Sequence, residues 1–140
     1  MRYVEKRAWL GIAAVLLLFI RMQGQSKSES SPQSVVERYC TLDAQGANFS
    51  ASNPNAKAIW GLLINEDEAG YDQSVVTRSY RIGKSTISEI SADVEVVYVD
   101  LGTLAGNNAR KDQHSETVMF HLTKVGNSWK IDGLRILPHF

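Results

Sequence analysis

The chain has 140 residues, 15 of them Lys or Arg and 15 Asp or Glu, a length that suits one domain. Apolar residues make up 44% and charged residues 21%, near globular averages, which excludes collagen-like, coiled-coil and wholly disordered chains. The charge is unevenly placed: residues 1–26 carry Arg2, Lys6, Arg7 and Arg21 against Glu5, the rest is mildly acidic, and a nucleic-acid partner is not expected.

The N-terminus reads as a targeting segment. A short net-positive start is followed by 13 uncharged residues from Ala8 to Ile20. That run matches the apolar stretch of a secretory signal and is shorter than the ~20 residues of a spanning helix. Gly24 and Ser26 supply small residues for cleavage before Lys27, giving a signal peptide over 1–26 and an exported domain, periplasmic or secreted. The alternative is an uncleaved signal that anchors the chain to the membrane. Cys40 is the only cysteine, so no intramolecular disulfide can form, and it reads as a small buried apolar residue. Asn48-Phe49-Ser50 matches a glycosylation sequon, which matters only in a eukaryotic secretory route.

Residues 27–31 form a polar spacer, and one domain is expected over 32–140. Ser31-Pro32 is an N-cap followed by Pro at the first helical position. Val35, Val36, Tyr39 and Leu42 recur at helical spacing and Gly46 supplies a stop, so a first helix is predicted from about Pro32 to Gln45. Asn53-Pro54 repeats the start signal, and Ala58, Ile59, Leu62 and Leu63 make the stripe of a second helix. A charged loop, Asn65 to Gly70, follows.

The period then changes to two. Ser74 to Ile82 is predicted as a strand with Val76, Tyr80 and Ile82 on one face. Asp93 to Leu101 is rich in β-branched and aromatic residues and reads as a central strand. Gly102 to Asp112 reads as a loop. Glu116 to Lys124 alternates, with Val118, Phe120 and Leu122 on one face and Thr117, Met119, His121 and Thr123 on the other. Gly126-Asn127 makes a tight hairpin into Trp129 and Ile131, which point to the core together. The expected class is α+β: two N-terminal helices packed on a curved antiparallel sheet of about four strands.

This order resembles the nuclear transport factor 2-like (cystatin-like) superfamily, on Pro32 to Gly46, Val94 to Tyr98 and Gly126-Asn-Ser-Trp-Lys-Ile-Asp132. The resemblance covers most of the body. It implies a cone-like fold whose mouth can hold a small ligand, in a superfamily that includes enzymes, binding modules, scaffolds and secreted bacterial domains without assigned activity. Fold alone therefore does not give function.

Three readings of function compete. The first is a non-enzymatic module that binds a small apolar molecule or a protein, with Tyr39, Trp60, Tyr80 and Tyr98 as cavity candidates. The second is a lyase or isomerase in which Tyr39 donates to an oxyanion and Asp43 acts as base. Against it, Asp43 sits near a helix end where a solvated carboxylate is expected, Asp100 is placed to cap turn amides, and His121 is expected to point away from the helices. The third is a homodimer through Thr117, Met119 and Val125. No complete catalytic set is visible, so a non-enzyme is expected. His114, His121 and His139 fall on separate elements without ligand spacing, and Glu66, Asp67, Glu68 and Asp72 lack an EF-hand pattern, so no metal is expected. No phosphate loop or nucleophile elbow is present, and no cofactor is expected.

Overall fold

The computed structural model describes residues 30–65, 71, 73–132 and 136–140. The expected signal peptide over 1–26 and the acidic residues Glu66, Asp67, Glu68 and Asp72 lie outside them. The chain is α+β: among the described residues, two helices precede a four-stranded antiparallel open sheet in the order β1-β2-β3-β4.

Helix α1, Pro32–Ala44, forms where the capping residues put it. The Ser31 hydroxyl accepts from the Ser34 amide at 3.2 Å, and Pro32 occupies a position that needs no amide donor. At the other end Gly46 takes φ +77°, which lets the Gly46 and Ala47 amides turn back onto the carbonyls of Asp43 and Leu42. This reciprocal pair is a Schellman closure, and it explains why glycine stands there.

Helix α2 is only Ala56–Trp60, shorter than the sequence stripe implies. After Gly61 the helix gives way to tighter turns, with the Leu62 and Leu63 amides donating to the Ile59 and Trp60 carbonyls, and Leu63 then bridges to Ile131: Ile131 donates to the Leu62 carbonyl at 2.8 Å and Ile64 to the Ile131 carbonyl at 2.9 Å. Edge pairing satisfies the backbone groups that a longer helix would otherwise use. Leu62 and Leu63 still pack against the core, from this turn and bridge.

Strand β1 is Gln73–Ile87, β2 is Ser91–Ala105, β3 is Asn108–Val125 and β4 is Ser128–Asp132. The expected loop over 102–112 is a two-residue turn at Gly106-Asn107, with both flanking strands running on through it. Polar residues 108–115 sit on an exposed strand end, so their composition hides their conformation. Strand β1 also departs from simple alternation. Register shifts at Val76/Thr77, Thr77/Ser79 and Ile82/Ser85 break the period, so Val75 is buried while Val76, Tyr80 and Ile82 are half-buried. The Gly126-Asn127 hairpin forms as expected, and Trp129 and Ile131 are buried.

One core joins helices and sheet. Val35, Val36, Tyr39 and Cys40 of α1 and Ile59 of α2 cluster with Val94, Val96 and Tyr98 of β2, Phe120 and Leu122 of β3, and Trp129 and Ile131 of β4. Tyr39 and Phe120 meet edge to face at 5.5 Å between ring centres. The C-terminal residues line the free edge of β1. Val75 donates to the Pro138 carbonyl, Phe140 to the Val75 carbonyl and Thr77 to the Phe140 carbonyl, at 2.8 to 3.0 Å. With Leu62 to Ile64 along β4, both outer strands gain backbone partners, which limits edge-to-edge pairing.

Candidate functional site

Alternation along β2 sends Ala92, Val94, Val96, Tyr98 and Asp100 to the inward face, all buried. Asp100 therefore continues the core stripe in mid-strand. It does not close the strand or cap a turn: its Oδ1 accepts from the Thr77 hydroxyl at 3.0 Å, and its Oδ2 is buried with no hydrogen-bond partner. Across the β2–β3 ladder, Asp100 faces His114 and Tyr98 faces Glu116. The C-terminal His139 lies over the same face, its ring stacked on Tyr98 at 4.1 Å and its Nε2 bonded to Glu116 Oε1 at 2.9 Å.

Between α1, β1 and the C-terminal residues is a pocket of about 340 Å³. Cys40, Tyr80, Tyr98 and Phe140 supply most of its apolar wall, with Thr77, Arg78 and Ser79 of β1 as its polar border and His139 at one side. Tyr80 and Tyr98 lie 6.2 Å apart between ring centres, and the Tyr80 hydroxyl is engaged with Thr41 Oγ1 at 2.9 Å. The Cys40 thiol meets the Tyr98 hydroxyl at 3.3 Å. Burial pushes that thiol up to about 12, so it stays protonated and unreactive near neutrality. Burial likewise pushes the Tyr98 phenol well above its ordinary value, and the hydroxyl stays neutral.

Of the four cavity candidates, Tyr80 and Tyr98 line this pocket and Tyr39 and Trp60 do not. Tyr39 belongs to a separate buried group. Its hydroxyl accepts from Asn48 Nδ2 at 2.9 Å, and the same Nδ2 donates to Asp43 Oδ1 at 2.9 Å. Asp43 Oδ2 accepts from the His139 backbone amide at 2.9 Å. The solvated carboxylate expected at the end of α1 is thus fully buried, because the Schellman turn folds Asn48 back over it and the C-terminal residues cover its other side. Burial pushes the Asp43 carboxyl up to about 6, against the His139 amide and Asn48, which favour the charged form. Burial, with the neighbouring Asp43 charge, also pushes the Tyr39 phenol well up. Trp60 is half-buried against the core, and its indole Nε1–H has no hydrogen-bond partner.

His121 faces solvent on β3 and contacts Asp93, as its alternation implies. Met119 and Val125 are exposed on the same face. The grouping that spacing along the chain does not show is Asp100, His114 and Glu116, whose ligand atoms lie within 4.8 Å of one another. It becomes visible only once Gly106-Asn107 is taken as a two-residue turn like Gly126-Asn127, since that register sets 100 opposite 114. Among the described residues, no helix is long and apolar enough to cross a membrane. Comparison with known proteins returned no matching family model, no matching curated protein and no matching solved structure.

Proposed function

We propose that this chain is an exported, non-enzymatic binding domain that holds a small, largely apolar molecule in the pocket between α1, β1 and the C-terminal residues. The observation that carries this reading is the pocket's own chemistry. It is about 340 Å³, walled largely by aromatic and apolar groups, with a few hydroxyls, the cationic Arg78 and one imidazole at its margin. That size and lining are typical of sites that bury small ligands and orient them by a few polar contacts. Export is supported by the positive start and the 13-residue apolar run of the sequence. The likeness to the nuclear transport factor 2-like superfamily rests on the order of two helices before an antiparallel meander, and its expectation of a small-ligand site supports this reading.

A second reading, acid–base catalysis by Asp43 with Tyr39, is favoured by one observation: a carboxyl raised to about 6 is poised near working pH. It is the weaker reading because both oxygens of Asp43 are occupied by N–H donors and neither residue lines the pocket.

The test is a titration of the full chain with anilinonaphthalene sulfonate, an apolar anion that fluoresces when desolvated. Ala44→Trp supplies the control, since Ala44 is exposed on α1 one turn after Cys40 and lines the pocket with it, so an indole there fills the space without entering the core. Saturable binding by the native chain and a tenfold or greater loss in the variant, ~1.4 kcal/mol or more, are expected. Equal binding by the two chains, or none by the native one, would overturn the proposal.

A further inference from the structure

We propose that Asp100, His114 and Glu116 form a binding site for one divalent transition-metal ion, with Zn²⁺ as the representative. The three residues come from the facing strands β2 and β3, and one ligand atom from each lies within 4.8 Å of the others. Asp100 is the decisive residue. A fully buried carboxylate oxygen without a donor costs folding free energy, so its retention calls for a positive partner. His114 Nε2 stands 3.7 Å from Oδ2, too far for a hydrogen bond. Two ligands on one tetrahedral ion, with bonds of ~2.0–2.1 Å, stand ~3.4 Å apart, within a few tenths of the observed separation.

Protonation states point the same way. His114 Nδ1 lies 3.2 Å from the Asp112 carbonyl, which can only accept, so Nδ1 carries the proton. In the neutral ring Nε2 then presents a lone pair toward Asp100 Oδ2, which is also an acceptor. A cation between them resolves the opposition. Each of the three is also oriented by an outer partner of the kind metal ligands have. The Thr77 hydroxyl holds Asp100 Oδ1, the Asp112 carbonyl holds the His114 ring, and His139 Nε2 holds Glu116 Oε1 at 2.9 Å.

The donor set selects the class of ion. One imidazole and two carboxylates suit Zn²⁺ and its first-row neighbours, whereas Mg²⁺ and Ca²⁺ prefer oxygen alone. Two carboxylates balance the double charge, and three protein ligands leave a position open. His114 and Glu116 are partly exposed, side chains 46% and 40%, so an ion reaches the site from solvent. Thr77 and His139 border both the cluster and the pocket. The ion site is complete whether or not the pocket is occupied.

The experiment is calorimetric titration of the full chain, carrying no histidine tag, with Zn²⁺ alone. One ion per chain is expected, and His114→Ala, at an exposed position, should weaken it by more than a hundredfold. Thr77→Val, which removes only an outer hydroxyl, should cost about 10–100-fold. His121→Ala, at the exposed His121–Asp93 pair away from the cluster, should leave the affinity unchanged. With Co²⁺ in place of Zn²⁺, visible d–d bands should appear in the native chain and vanish in His114→Ala. No Zn²⁺ binding by the native chain, or equal binding by His114→Ala, would overturn the proposal. A loss in His121→Ala as large as that in His114→Ala would also overturn it, by placing the ion elsewhere.

Discussion

Replacing Asp43 by Asn should remove a specific pH dependence of folding. In the folded chain burial raises this carboxyl from 3.8 to about 6, so between those values the folded state holds a proton that the unfolded chain has lost. Stability tied to that proton is fully present below 3.8 and is lost as pH rises through about 6. The shift of roughly two units corresponds to about 3 kcal/mol at ~1.4 kcal/mol per unit. The carboxamide of Asp43→Asn has nearly the same shape, keeps a carbonyl oxygen for one of the two donors and does not titrate. Urea unfolding followed by tryptophan fluorescence, with a constant denaturant slope, gives the two stabilities at each pH. The native-minus-variant difference should fall by about 3 kcal/mol from about pH 3.5 to pH 7.5, with its midpoint between the two values. A flat difference would refute the burial argument. A difference that grows with pH would show instead that Asn48 and the His139 amide stabilise the charged form more than burial opposes it.

Three shorter predictions follow from the fold and the targeting segment. Trp129→Ala, at a position 7% exposed, should lower stability by about 3–5 kcal/mol, and an unchanged urea midpoint would contradict its place in the core. Gly102→Ala should cost more than about 1 kcal/mol, because a methyl group there runs into the Arg110 carbonyl across the β2–β3 ladder and the backbone sits at φ +157°. A thermal midpoint equal to the native one would argue against that close approach. N-terminal sequencing of the exported protein should find a chain that begins near Lys27, and a mature chain still starting at Met1 would end the cleaved-signal reading.

Local signals are legible where one residue type has one physical use. Ser31-Pro32 and Gly46 bound α1 almost to the residue, and Gly126-Asn127 sets the hairpin that buries Trp129 and Ile131. Signals fail where tertiary pairing overrides composition. The stripe through Leu62 and Leu63 has helical spacing, but the backbone there pairs with β4. Polar residues from 108 to 115 have the composition of a loop because that end of β3 has no core to alternate against. The same composition hides the Asp100–His114–Glu116 cluster, since without the two-residue turn Asp100 is not set opposite His114. Asp43 escapes a sequence reading for a related reason: its burial comes from His139, 96 positions away, a contact that helical period cannot foretell. Tyr80 and Tyr98 stand out because strand alternation and aromatic character coincide with the pocket, whereas Tyr39 and Trp60, aromatic residues on helices α1 and α2, serve the core.

The central claim, that the pocket is the ligand site, is tested most directly by amide chemical shifts recorded on the full chain during titration with anilinonaphthalene sulfonate. The largest changes should fall on Cys40, Thr77 to Tyr80, Tyr98, His139 and Phe140, and saturate together with one affinity. Changes centred instead on the exposed Ile87 and Ile90, or spread over the surface without saturation, would contradict the claim.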